Sequence, residues 1–134
     1  MLASGMGWDV RCPQVLKDMF RPPRRGYWYK VNVEQAEQIV KHLAAAYGVQ
    51  PPRVEKFAPR GSVLASGRRL NGQYFGQSKT IKMHSWNHIK TIFHEFYHHL
   101  DYVTKGKYNS SDNKGGPSSY GWQFADRVWE KLRA

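Results

Sequence analysis

The stretch from Ile89 to Val103 constrains the fold more than any other. Ile89, Ile92, Phe93, Phe96, Leu100 and Val103 recur at helical spacing and make one apolar stripe. His94, His98 and Asp101 lie off that stripe, on a second face. A helix so patterned buries one side in a core and shows the other to a cleft. The second face reads His94-Glu95-Phe96-Tyr97-His98, an HExxH motif. Positions i and i+4 lie one above the other on a helix, so His94 and His98 can offer two imidazole nitrogens to one ion. Zinc suits them, because it takes nitrogen ligands in a compact tetrahedron. Glu95 projects about 100° away from His94. It is placed to take a proton from a zinc-bound water and pass it to a leaving group. The competing reading is a helix whose histidines reached the surface by accident.

The remainder of the chain frames that helix. Residues 33–47 predict a helix with Asn32 as cap, Gln35 completing a capping box and Gly48 as terminator. Val33, Ala36, Ile39, Val40, Leu43 and Tyr47 line its apolar face, and His42 reads as a structural histidine near it. Residues 49–83 read as strands: 53–58, 62–66, 73–75 and 79–83, with Asn71-Gly72 as a tight turn. Ser85 or Asn87 is expected to cap the HExxH helix, with His84 and His88 flanking it as surface or supporting groups. A polar loop follows Val103, and residues 118–133 form the last helix on a Phe124, Val128, Leu132 ridge joined by Ala125 and Trp129. The fold class is therefore α+β: a helix, a small, partly antiparallel sheet of three to four strands, the HExxH helix and a C-terminal helix.

Residues 1–30 read as a basic and aromatic N-terminal arm ahead of a domain over 31–134. A short helix is expected over 13–20, with Val15, Leu16 and Met19 as its apolar face. The run 21–30, RPPRRGYWYK, mixes cations with Tyr27, Trp28 and Tyr29, as single-stranded nucleic-acid platforms do. The alternative is an arm whose rings pack back on the core. The net charge of +11 is uneven: eight Lys/Arg stand against one acid, Glu55, in residues 51–90. Such a basic half suits a polyanion or an acidic substrate. One cysteine, Cys12, excludes an internal disulfide framework. No apolar run approaches the ~20 residues that span a bilayer, and no signal peptide is recognisable, so an intracellular location is expected.

The HExxH helix resembles that of the zincin metallopeptidases. The order helix, small sheet, HExxH helix, loop and helix is similar to SprT-like and minimal gluzincin proteases over residues 33–133. The resemblance implies a zinc-dependent endopeptidase with Glu95 as general base, acting on a protein or peptide. It also implies an edge strand, near Ile81–His84, that pairs with extended substrate. With the positive charge, it implies work near nucleic acid through residues 21–30 and 51–90. Arg11-Cys12 resembles the matrixin propeptide, where a thiolate holds the zinc latent; a buried, inert cysteine is the simpler reading.

Two histidines are not a complete zinc site, and a third protein ligand is required. The SprT-like pattern takes it from a downstream His-Gly-x-x-Phe, and the matching run here is Tyr120-Gly121-Trp122-Gln123-Phe124, with tyrosine in the histidine place. The gluzincin pattern takes it from a glutamate one turn before an Ala-Asp pair. Ala125-Asp126 is present, with Trp122 in the glutamate place. Three outcomes stay open: Tyr120 ligates as a phenolate, Asp126 ligates as a carboxylate, or the site is weak and the fold serves as an inactive binding module. Asp101 and Asp112 are further carboxylates within reach by sequence.

Overall fold

Helix α2 (Val33–Tyr47) forms where both of its ends are chemically marked. The Asn32 side chain accepts from the Gln35 N–H at 2.9 Å, and the Gln35 side chain accepts from the Asn32 N–H at 2.9 Å. This box satisfies donors that a helix start leaves over. Gly48 ends the helix at φ 69°, in the left-handed region that glycine enters without strain. Ala36, Ile39, Val40 and Leu43 are buried, as the spacing predicts. The chain is seen here in a computed structural model that describes residues 9–21, 29–106 and 120–134. The aromatic run 22–28 lies outside the described residues.

Beside α2 stands a three-stranded sheet of β2 (Arg53–Lys56), β3 (Gly72–Phe75) and β4 (Thr80–Met83). Its order is β2-β4-β3, with β4 parallel to β2 and antiparallel to β3. Val54, Ile81 and Tyr74 stand in register across it, and all three are buried. Burying such a side chain contributes roughly 1.5–3 kcal/mol. The strand before the HExxH helix is thus the central one, not an edge. The reason lies in its sequence: Thr80, Ile81 and Met83 are buried, and both of its sides are paired. The stretch 62–66 is not a strand but a turn region, with one isolated bridge between Val63 and Arg69.

A second, two-stranded sheet pairs β1 (Lys30–Val31) antiparallel with β5 (Asn87–His88). It fixes the entry to α3 (Ile89–Lys105), whose first N–H, on Ile89, donates to the Tyr29 carbonyl at 2.8 Å. The cap is neither Ser85 nor Asn87. His88 takes that role, its Nδ1 accepting from the Lys90 N–H at 3.1 Å. Asn87 instead ties two loops: its side chain accepts from the His84 N–H and donates to the Asn71 carbonyl.

Helix α3 is buried from Thr91 to Asp101 without a break. Helix α4 (Tyr120–Arg133) covers one side of it, and α2 with β3 and β4 covers others. Phe124 of α4 packs its ring 5.6 Å from Tyr97 and 6.2 Å from Tyr47. The short helix α1 (Gln14–Met19) also joins this core. Its buried residues are Leu16 and Phe20, whereas Val15 and Met19 are exposed. Tyr47 holds the segment before it, donating to the Asp9 carbonyl at 2.6 Å and accepting from the Arg11 N–H at 2.8 Å. Burial, the main cause, pushes this phenol up to about 12, so it remains a donor.

One buried relay locks β3 to α3. The Tyr74 hydroxyl donates to His99 Nδ1 at 2.7 Å, and His99 Nε2–H donates to the Gln50 carbonyl at 2.7 Å. A carbonyl only accepts, so Nε2 carries the hydrogen. Burial holds His99 below its ordinary value of 6.5, which keeps Nδ1 free to accept. Tyr74→Phe leaves that buried nitrogen without its donor, so it should destabilise the fold by about 1–3 kcal/mol in urea unfolding. The relay's pH dependence follows from the lowered value. Its stability is fully present above the unfolded value of 6.5 and is lost as pH falls from there through the folded value. Unfolding midpoints measured between neutral and mildly acidic pH should drop in that direction.

Candidate metal centre

The two faces of α3 do different work. Its stripe, through Ile92, Phe93, Phe96 and Leu100, enters the core. One face carries His94, Glu95 and His98 to the floor of a cleft of about 520 Å³. Their ligating atoms all lie within 4.8 Å of one another, and His94 Nε2 is 4.0 Å from Glu95 Oε2. The two imidazoles are 4.9 Å apart between centroids, at 85°. Nδ1 of each ring is buried, so Nε2 is the nitrogen turned to a ligand in the cleft. Two imidazole nitrogens with a carboxylate beside them suit a divalent transition metal. This buried group could hold a metal ion.

Strand β3 makes one wall. It is an edge of the sheet, and Asn71 to Phe75 all face the cleft. At Gly72 a Cβ would sit 3.0 Å from Thr91 Cγ2 and 3.4 Å from Glu95 Cγ. The Asn71-Gly72 pair is therefore not the hairpin turn that its sequence suggests. The chain turns at Gly76–Lys79, between β3 and β4. The glycine at 72 instead lets the strand lie directly against the glutamate. No sequence signal distinguishes that role from a turn.

Trp122 closes the site from the α4 side. Its ring stacks on His94, with centroids 4.3 Å apart and planes at 27°. Helix α4 runs antiparallel to α3, since Trp122 meets His94, Asp126 meets Lys90 and Trp129 meets His88. Asp126 is therefore drawn away from His98 and forms an ion pair with Lys90 of α3, not with Lys131 or Arg133. Tyr120 packs against the hydrophobic core, one turn before Phe124. Neither residue lines the cleft. Asp101 is buried beside Lys105, 2.9 Å from its ammonium, and is not part of the His94–Glu95–His98 group. Asp112 lies outside the described residues.

Cys12 is likewise away from the cleft, half-buried against the core, and burial raises its thiol pKa. His84 Nε2–H donates to the Leu70 carbonyl at 2.9 Å, and His88 caps α3, so neither joins the His94–Glu95–His98 group. His42 is half-buried on α2. No helix is long and apolar enough to cross a membrane, among the described residues.

No family model, curated protein or solved structure matches the chain. The site's chemistry therefore rests on its geometry.

The placement of α4 predicts which changes would reach a metal held by His94 and His98. Tyr120→Phe and Asp126→Asn should leave zinc affinity unchanged in competition with a chromophoric chelator. Trp122→His puts an imidazole beside His94 and should tighten it by about tenfold or more, the effect of completing a three-ligand set.

Proposed function

We propose that the protein is a zinc-dependent endopeptidase of the zincin type. The observation that carries the reading is the gathering of His94, Glu95 and His98 within 4.8 Å, at the floor of a cleft walled by an edge strand. His94 and His98 would hold the ion. Zinc bound there supplies Lewis acidity, which polarises a carbonyl and makes water more acidic.

The chain's own residues supply the rest. An extended polypeptide adds to the outer edge of β3 through main-chain hydrogen bonds, which ask little of its sequence. Gly72 brings that edge close to Glu95. The Glu95 carboxylate takes the proton from the attacking water and then hands it to the leaving amine. Phe75 and Leu64 on the cleft rim are exposed, which suits an unfolded stretch with apolar side chains. Trp122 stacks on His94 and holds the plane of its ring.

A second reading has one observation in its favour. Trp122 stands on His94 where a third ligand would complete the site, which suits a scaffold that binds without turnover. Metal content and cleavage separate the two. The isolated protein should carry about one zinc per chain, lost in His94→Ala and in His98→Ala. Glu95→Gln should keep the zinc and lose cleavage of unfolded casein by about a hundredfold or more. A zinc-loaded parent that leaves casein intact supports the scaffold. Equal cleavage by parent and Glu95→Gln removes Glu95 as the base.

A further inference from the structure

A second groove adjoins the metal cleft. Its space is about 370 Å³, and its walls include Lys56, Phe57, Arg60, Arg69, His84 and Trp86. No acid lines it. The nearest acid in sequence, Glu55, is already engaged by Arg53 at 2.9 Å and Lys82 at 3.8 Å. Lys56, Arg60 and Arg69 form no ion pair with a described residue. Three cations held close together without acids repel one another, so the groove is stabilised by an incoming anion.

Its aromatic content points to the kind of anion. Trp86 is 56% exposed, the most exposed large hydrophobic residue described. It makes no ring contact with a described residue. The bend that carries it does not need it, because Asn87 holds that bend through His84 and Asn71. The groove floor is firm: the His84 ring lies 5.1 Å from Phe57, and its Nε2 is bonded to the Leu70 carbonyl. An unburied indole beside free cations on a rigid floor matches the needs of a polyanion with flat rings. Bases stack on the indole, and phosphates meet the cations. An acidic polypeptide would use the cations and leave the indole idle.

We propose that this groove binds a single-stranded polynucleotide, with a base on Trp86 and phosphates on Lys56, Arg60 and Arg69. The site does not depend on the hydrolytic reading. Arg69 also lines the cleft that holds His94, Glu95 and His98, so the two spaces adjoin at that residue.

A chain of net charge +11 binds any polyanion weakly at low salt, so the test must separate the site from the charge. Fluorescein-labelled oligo(dT) and oligo(U) are titrated with the full-length protein and followed by polarisation, with heparin and polyglutamate as competitors. Trp86→Ala should weaken oligonucleotide binding by about tenfold and leave heparin binding unchanged, while Trp86→Phe retains most of the affinity. Arg60→Ala with Arg69→Ala should reduce the slope of log K against log salt by about 1.4, or 0.7 for each lost phosphate contact. Lys41→Ala, on the far helix α2, serves as the charge control and should change neither. The proposal is overturned if Trp86→Ala binds oligonucleotide as tightly as the parent. It is also overturned if polyglutamate of equal charge displaces the oligonucleotide at matching concentration, which would make the groove a site for acidic polypeptide. Circular dichroism of each variant checks that the exposed substitutions leave the fold intact.

Discussion

Helix α3 is surrounded on nearly every side, and the architecture follows from what that burial demands. A buried helix that carries three histidines and two acids must satisfy them internally or set them at a cleft. His99 is satisfied by Tyr74 and the Gln50 carbonyl, which pins β3 and the segment after α2. Asp101 pairs with Lys105 one turn later. His94, Glu95 and His98 face the cleft and are grouped there. The apolar stripe then fixes the rotation of the helix, because Phe93, Phe96 and Leu100 must enter the core. The face that groups His94, Glu95 and His98 is thus set by the packing on the opposite one.

Features that depend on local chemistry were legible in the sequence. The α2 capping box and its glycine terminator, the α4 ridge and the α3 stripe all need only neighbours within a few residues. Features that depend on partners distant in the chain were not. Ile81 looks like an edge residue beside an active-site helix, but Val54 and Tyr74 pair on its two sides. Gly72 reads as a turn because its true reason, the close approach of Glu95, lies 23 residues away, as 95 − 72. His88 replaces Ser85 and Asn87 at the cap because β1 extends the pairing to that point. Of the site, the HExxH triad was readable from spacing, whereas Trp122 and the β3 wall needed the tertiary arrangement.

The charge distribution gains meaning from the same arrangement. Along the sequence, the cations of residues 51–90 are spread over a long, glycine-punctuated stretch. In the fold, Arg68 and Arg69 line the metal cleft, while Lys56, Arg60 and Arg69 line the neighbouring groove. Among the described residues, Glu95 is the sole acid lining either space.

The register of α4 on α3 decides what a family pattern can mean in this chain. Tyr120, Phe124, Val128 and Leu132 are spaced four apart, so they share one ridge, and the last three are fully or almost fully buried. That ridge has to enter the core, which leaves Trp122 on another face of the helix, against His94. A residue two positions from Trp122 is turned by about 200°. Position 120 packs against the core, while position 126, one turn after Trp122 on its face, pairs with Lys90. Replacing Tyr120 by histidine would rebuild the His-Gly-x-x-Phe run in the sequence. It would nevertheless send the imidazole along the core ridge. In this fold, the α4 position that meets a histidine of the HExxH run is 122.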